Sequence, residues 1–170
     1  MYSLLRCHRF KSVTELTAMA VHPREPCIAV GEKDGNIRFW YCLSGESKFD
    51  IRQAVARKSK KRSVDASRVS NDMHWHAHQV LSLAFSPDGV YLLSGGYEGV
   101  LVIWQLGTGA RTFLPRLGAP LRTITVPPDF SHYILGCADN SLRLVEATTR
   151  NTIQMIQSLK FCTFFEQSYA

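Results

Sequence analysis

Three stretches of the chain align with one another without a gap. Leu16 to Trp40 matches Val80 to Trp104 residue for residue, and Val80 to Trp104 matches Leu121 to Val145 in the same way. The middle copy reads Val80-Leu81-Ser82-Leu83-Ala84-Phe85-Ser86-Pro87-Asp88-Gly89, then Leu92-Leu93-Ser94-Gly95-Gly96, then Glu98-Gly99-Val100-Leu101-Val102-Ile103-Trp104. A unit that recurs at fixed spacing cannot bury its apolar face alone and packs on its neighbours. This repeat constrains the fold more than any other feature.

Each copy has the same internal order. A first strand alternates side chains with period two, as in Leu81, Leu83 and Phe85 or Ile124 and Val126. A turn follows, His22-Pro23-Arg24-Glu25, Ser86-Pro87-Asp88-Gly89 or Pro127-Pro128-Asp129-Phe130. Proline presets φ there and Asp or Gly closes the turn. A short apolar second strand leads to Asp34-Gly35, Glu98-Gly99 or Asp139-Asn140. Gly and Asn tolerate the left-handed backbone of such hairpins. The third strands are Ile37-Arg38-Phe39-Trp40, Leu101-Val102-Ile103-Trp104 and Leu142-Arg143-Leu144-Val145. Weaker fourth strands fall near 47–51 or later, 110–114 and 152–156.

A repeat of roughly 40–45 residues with this grammar resembles the blade of a WD40 β-propeller. The expected fold class is all-β, with about three WD40 blades in an incomplete propeller. Complete propellers have about 4–8 blades, so a chain of 170 residues reads as a fragment or truncated product of a larger protein. Its end blades should expose apolar edges unless other chain covers them. The expected divisions are an N-terminal strand or linker at 1–12, blade 1 at 13–50 and a basic flexible insertion at 51–73. Blade 2 follows at 74–114, blade 3 at 115–158 and an irregular tail at 159–170.

The net charge of +6 is concentrated. Arg52, Arg57, Lys58, Lys60, Lys61 and Arg62 lie close together with no acid among them. Such a run fits contacts to RNA phosphates or a nuclear-import signal, or else a solvated loop. Of these residues Arg57, Lys58, Lys60, Lys61 and Arg62 are the candidates for phosphate contact. The five cysteines, Cys7, Cys27, Cys42, Cys137 and Cys162, are odd in number and form no C-x-x-C pair. They fit a reducing compartment. The N-terminal residues are too few and too polar for a secretory signal, and no apolar run approaches the roughly 20 residues of a membrane span.

Chemistry-bearing motifs are sparse. There is neither G-x-S-x-G nor G-x-x-x-x-G-K-S/T. Gly95-Gly96 and Gly107-Thr108-Gly109 sit at blade turns with no helical period after them, so a phosphate-binding helix N-terminus is not expected. Asp34, Asp88 and Asp139 read as turn residues. His74, His76 and His78 would share one face of an extended strand, and three histidines can hold zinc. A structural reading competes. WD40 blades typically carry a histidine four residues before the inner strand. It is hydrogen-bonded with a Ser or Thr of the second strand, an Asp of the next turn and the Trp of the third. Mapped here the set is His76, Ser94, Glu98 and Trp104, with the longer Glu98 in place of Asp. Trp40, Phe85, Trp104 and Tyr133 fall at packing positions, whereas Trp75 lies in a connection where it could stack on RNA.

Beyond the generic repeat, Met73-His74-Trp75-His76 and Leu92-Leu93-Ser94-Gly95-Gly96 resemble one group of WD-repeat proteins. The strongest likeness is Phe113-Leu114-Pro115-Arg116-Leu117-Gly118-Ala119-Pro120, which is not a general WD40 feature. The group is the nucleolar t-UTP subunits of the small-subunit processome, and the likeness runs from about Leu16 to Lys160. The resemblance implies a non-enzymatic scaffold in the nucleolus, acting in pre-rRNA processing, small-subunit biogenesis and RNA polymerase I transcription of rRNA. It implies other processome subunits and pre-rRNA as partners, with no cofactor, membrane or small-molecule substrate. Two other readings compete with it. One is a generic WD40 adaptor that binds a peptide, as a substrate receptor does. The other is a zinc hydrolase built on His74, His76 and His78.

Overall fold

The computed structural model of the protein describes residues 14–41 and 72–157. They form three four-stranded antiparallel sheets. The first holds β1 (Leu16–Val21), β2 (Cys27–Glu32), β3 (Asn36–Tyr41) and β4 (Asp72–His74). The second holds β5 (Val80–Phe85), β6 (Tyr91–Gly96), β7 (Leu101–Gln105) and β8 (Ala110–Phe113). The third holds β9 (Leu121–Thr125), β10 (His132–Cys137), β11 (Leu142–Glu146) and β12 (Thr152–Ile156). Within each sheet the strands pair in chain order. These are WD40 propeller blades in an open series, with blade 2 between the other two.

Inner strand packs against inner strand, β1 on β5 and β5 on β9. The apolar residues therefore collect in two seams between blades rather than one central core. Ala29, Ile37, Phe39, Leu83, Leu92, Val102 and Trp104 fill the seam between blades 1 and 2. Leu93, Leu101, Ile103, Leu121, Ile124, Leu135 and Val145 fill the seam between blades 2 and 3. Successive strand residues point to opposite faces. Leu92 thus serves one seam and Leu93 the other, and Val102 and Ile103 divide in the same way. A strand buried on both faces reads as a continuous apolar run, which is the character of Leu101-Val102-Ile103-Trp104.

Glycines at one repeat position allow the blades to close. A Cβ on Gly31 would lie 2.7 Å from Val80 Cβ, and a Cβ on Gly95 would overlap the side chain of Leu121. Val80 and Leu121 are the first residues of β5 and β9. The inner strand of each following blade enters through that gap.

One expectation is corrected. Blade 1 takes its fourth strand from Asp72–His74, beyond the basic run, with Asn36 opposite His74 and Ile37 opposite Met73. This fourth strand falls within the expected 47–51 or later, with residues 47–51 themselves outside the described residues. What changes is the blade boundary. Residues 72–74 thus belong to the outer edge of blade 1, not to an insertion and a second blade. The cause is burial. Met73 is enclosed beside Ile37 in the first seam, a contact that local strand propensity does not register.

The outer faces of the arc are apolar and open. Leu16, Met19 and Val21 are exposed on blade 1, and Ile153, Met155 and Ile156 on blade 3.

Candidate functional site

His76 lies in the connection between β4 and β5 and has no exposure to solvent. Its Nε2 is 2.7 Å from Ser94 Oγ on β6, and its Nδ1 bonds the Glu98 carboxylate in the hairpin between β6 and β7. Trp104 Nε1 on β7 donates to the same Ser94 oxygen at 2.8 Å. The four side chains His76, Ser94, Glu98 and Trp104 therefore meet in one buried chain of hydrogen bonds. Burial holds the His76 pKa below its ordinary value, against the opposing pull of Glu98. The imidazole is then neutral. Nδ1–H donates to Glu98, and Nε2 accepts from the Ser94 hydroxyl, which leaves Ser94 free to accept from the indole. Every donor along this chain has an acceptor.

Serine, histidine and carboxylate in this order have the connectivity of a nucleophile, a base and an orienting acid. Access decides against that use. Ser94 is fully buried, and the Trp104 N–H occupies its oxygen, so no substrate carbonyl can reach it. The arrangement locks three elements of blade 2 together.

The other copies replace the network. In blade 3 the positions of His76, Ser94 and Trp104 hold Leu117, Leu135 and Val145, all buried in the second seam. Asp139 there accepts from the Ser141 amide and hydroxyl at 3.0 and 2.6 Å. In blade 1 Asp34 accepts from the Asn36 amide at 3.1 Å. Asp88 accepts from the Ser86 hydroxyl at 2.5 Å and the Val90 amide at 3.0 Å. Burial raises the pKa of Asp88, but these hydrogen bonds outweigh it and hold the carboxyl below its usual range. The Ser141 hydroxyl lowers Asp139 in the same way. These acids serve their own turns.

The histidines do not share a face. His74 ends β4, and both His74 and His78 are exposed while His76 is sealed. Among the described residues no group of three or more His, Cys, Asp or Glu is placed to hold a metal ion. Trp75 is half-buried, with its ring stacked on Phe113 at 5.5 Å and edge-on to His76 at 5.3 Å. Arg57, Lys58, Lys60, Lys61 and Arg62 lie outside the described residues.

Sequence reasoning missed the residues that sew the blades together. His22 is buried, and its Nε2–H donates to the Gly89 carbonyl of blade 2 at 3.0 Å. Its Nδ1 accepts from the amides of Arg24 and Glu25 at 3.2 and 2.9 Å. Thr17 Oγ1 donates to Val80 O at 2.5 Å, and Ser82 Oγ accepts from the Ile124 amide at 3.0 Å. Arg143 Nη2 donates to Leu117 O at 2.5 Å, tying blade 3 to the Phe113–Pro120 connection. A polar residue on an inner strand, as at Thr17 and Ser82, was the available signal. His22 sits in a turn, where nothing in the repeat marks it.

Comparison with known proteins agrees with this architecture. The family described as the first β-propeller of WD repeat-containing protein 75 matches residues 2–140. The human WD repeat-containing protein 75 is 36% identical over 130 residues, covering 76% of this chain and 13% of that protein. The Xenopus laevis protein of the same name is 35% identical over 135 residues, covering 79% of this chain and 14% of its own length. The U3 small nucleolar RNA-associated protein 17 of Schizosaccharomyces pombe is 48% identical over 75 residues, 44% of this chain and 9% of the relative. The chain thus spans about one-seventh of the length of the curated relatives it matches. Rigid blades, inter-blade seams and a match over most of the sequence lead to one statement of kinship: this chain belongs to the family of the first β-propeller of WD repeat-containing protein 75.

Proposed function

We propose that the chain is a non-catalytic scaffold segment in the assembly of the small ribosomal subunit. In this reading it works in the nucleolus as part of the small-subunit processome. It supports pre-rRNA processing and RNA polymerase I transcription of rRNA, and its partners are other processome subunits and pre-rRNA. The observation that carries the proposal is its likeness to a protein named for association with U3 small nucleolar RNA, at 48% identity over 75 residues. A likeness to the NET1-associated nuclear protein 1 of Saccharomyces cerevisiae, 48% over 64 residues, supports the nuclear location. The non-catalytic reading rests on the sealed Ser94 and His76 and on the rigidity of stacked blades, which suits loops that dock partners. The basic residues Arg57, Lys58, Lys60, Lys61 and Arg62 add sequence-independent attraction to rRNA phosphates.

Gradient sedimentation of nuclear extract tests this reading. The tagged chain should co-sediment with U3-containing particles and leave those fractions after ribonuclease treatment. Sedimentation with protein complexes free of pre-rRNA would favour the peptide-adaptor reading instead. Replacing the five basic residues by Ser should lower RNA affinity and flatten its salt dependence.

A further inference from the structure

A cavity of about 190 Å³ opens between blades 2 and 3 at the ends of their strands. It is smaller than the roughly 300–1,000 Å³ of ligand clefts, and its size suits the head of one side chain. Tyr91, Gln105 and Thr112 line it from blade 2, and Tyr133 and Arg150 from blade 3. Tyr133 is only 2% exposed. Its hydroxyl has no hydrogen-bond partner among the described residues, yet it is not one of the unpartnered side-chain atoms sealed from solvent. The little of Tyr133 that solvent reaches therefore includes the hydroxyl, at the cavity wall. Burial raises the Tyr133 pKa above its ordinary value; Arg150 opposes this and Tyr91 adds to it. The hydroxyl thus keeps its proton, and both neighbours lie within electrostatic reach of it. Arg150 makes no ion pair among the described residues. Gln105 Oε1 is taken by the Thr108 hydroxyl at 2.9 Å, which leaves the amide N–H groups to donate. Among the described residues no carboxylate lines the cavity. The neighbouring acids Asp129 and Glu146 accept from the Ser131 and Thr149 hydroxyls at 2.7 and 2.5 Å instead.

We propose that this cavity binds one oxyanion, a carboxylate or phosphoryl group at the head of a side chain on a partner protein. Every polar side chain that lines it can donate a hydrogen bond: two phenols, a threonine hydroxyl, an amide and a guanidinium. The guanidinium fork engages two oxygens of a carboxylate or phosphate at once. A buried phenol O–H without an acceptor is costly, and the same oxyanion supplies one to Tyr133. A neutral acceptor would satisfy the hydroxyl but leave the Arg150 charge unmatched, and a cation is repelled by it. Phe130, stacked on Tyr91 at 5.7 Å, gives the stem of the incoming side chain an apolar wall. Nucleic acid is disfavoured by shape. A backbone phosphodiester carries a sugar on each side, whereas a cavity of this size takes a terminal group. The site rests on the cavity alone and has the same chemistry whichever assembly the chain joins.

The test is an NMR titration of the full chain, read at the backbone amides of Tyr133, Ala147 and Arg150. The probes are capped pentapeptides, Gly-Gly-X-Gly-Gly, with X as glutamate, phosphoserine, glutamine or lysine. The glutamate or the phosphoserine peptide should bind about ten-fold more tightly than the glutamine peptide, the order expected for a hydrogen bond to a charged group. Tight binding of phosphoserine alone marks a phosphoryl head, and tight binding of glutamate a carboxylate head. Tyr133→Phe keeps the ring and removes the hydroxyl, and should weaken the favoured peptide about ten-fold. Arg150→Asn removes the charge at a turn whose left-handed backbone, φ 61°, asparagine tolerates. It should abolish the preference for the anion over glutamine, and it decides alone should Tyr133→Phe fail to fold. The proposal is overturned by equal or tighter binding of glutamine or lysine, or by no shift at millimolar peptide. It is equally overturned by anion affinity unchanged in Arg150→Asn or in a folded Tyr133→Phe. An RNA oligonucleotide that moves the same amides at lower concentration than either anionic peptide would overturn it too.

Discussion

Ser94 sits between two nitrogens, Nε2 of His76 and Nε1 of Trp104, with no water access. Ser94→Ala removes the atom both depend on and leaves two buried polar groups unpaired. The expected loss is about 1–3 kcal/mol per unsatisfied group, read as a lower urea midpoint at unchanged slope. His76 sets a pH dependence. Its folded pKa lies below the ordinary histidine value, so below about pH 6.5 the unfolded chain takes up a proton that the folded chain does not. Stability is full above that pH and falls as the pH drops toward the folded value. Melting temperatures from pH 7.5 to 5 should show this decline, and His76→Gln should flatten it. Asp88 and Asp139 act in a lower window, because their depressed pKa values contribute stability that is lost only in stronger acid. The four members of this network come from the resemblance to WD40 blades, whose typical hydrogen-bonded set maps onto His76, Ser94, Glu98 and Trp104. The repeat alone does not mark them, since the third copy has Leu117, Leu135 and Val145 at three of these positions. The isolation of the second, buried oxygen of Glu98 was not legible in the sequence, because it depends on what fails to reach that oxygen in space.

Hairpins and strands repeat faithfully because their turns are specified locally. Gly35, Gly99 and Asn140 adopt φ of 87°, 71° and 59° at the matching turn of each blade, the left-handed backbone that Asp-Gly, Glu-Gly and Asp-Asn pairs announce. Gly99 is constrained twice, since a Cβ there would also overlap the Ala119 carbonyl of the next connection. Gly99→Ala should cost more than 1 kcal/mol, and hydrogen exchange should rise first around Leu117, whose amide bonds Gly99 O at 2.8 Å. The conserved offset between copies made nearly every strand readable from sequence. The bounds of β4 escaped because three residues, Asp72, Met73 and His74, carry too little pattern to show, and their pairing with β3 spans a long intervening segment.

At the scale of the whole assembly of described residues, the buried apolar side chains gather in two seams, and each blade depends on its neighbour. Leu92 and Leu93 are adjacent and equally buried but face different seams. Each substitution to Ala should cost about 2–5 kcal/mol, with different geography. Leu92→Ala should raise hydrogen exchange in β1 and β2, and Leu93→Ala in β9 and β10. A common pattern for both would mean a single cooperative core instead. The series of blades was legible from the repeat. The cross-blade bonds of His22 and Thr17 were not, because nothing in a period of sequence says which turn meets which neighbour. The open faces at Met19 and Val21 on one side and at Ile153 and Met155 on the other follow from the same dependence of blade on blade.

The most direct measurement is an affinity purification of the tagged chain from nuclear extract, with bound RNA sequenced and bound proteins identified. The scaffold account predicts recovery of pre-rRNA and U3 RNA together with other processome subunits, and loss of both when Leu93→Ala opens the second seam. Recovery of proteins without pre-ribosomal RNA, from this chain and from a complete propeller alike, would contradict it.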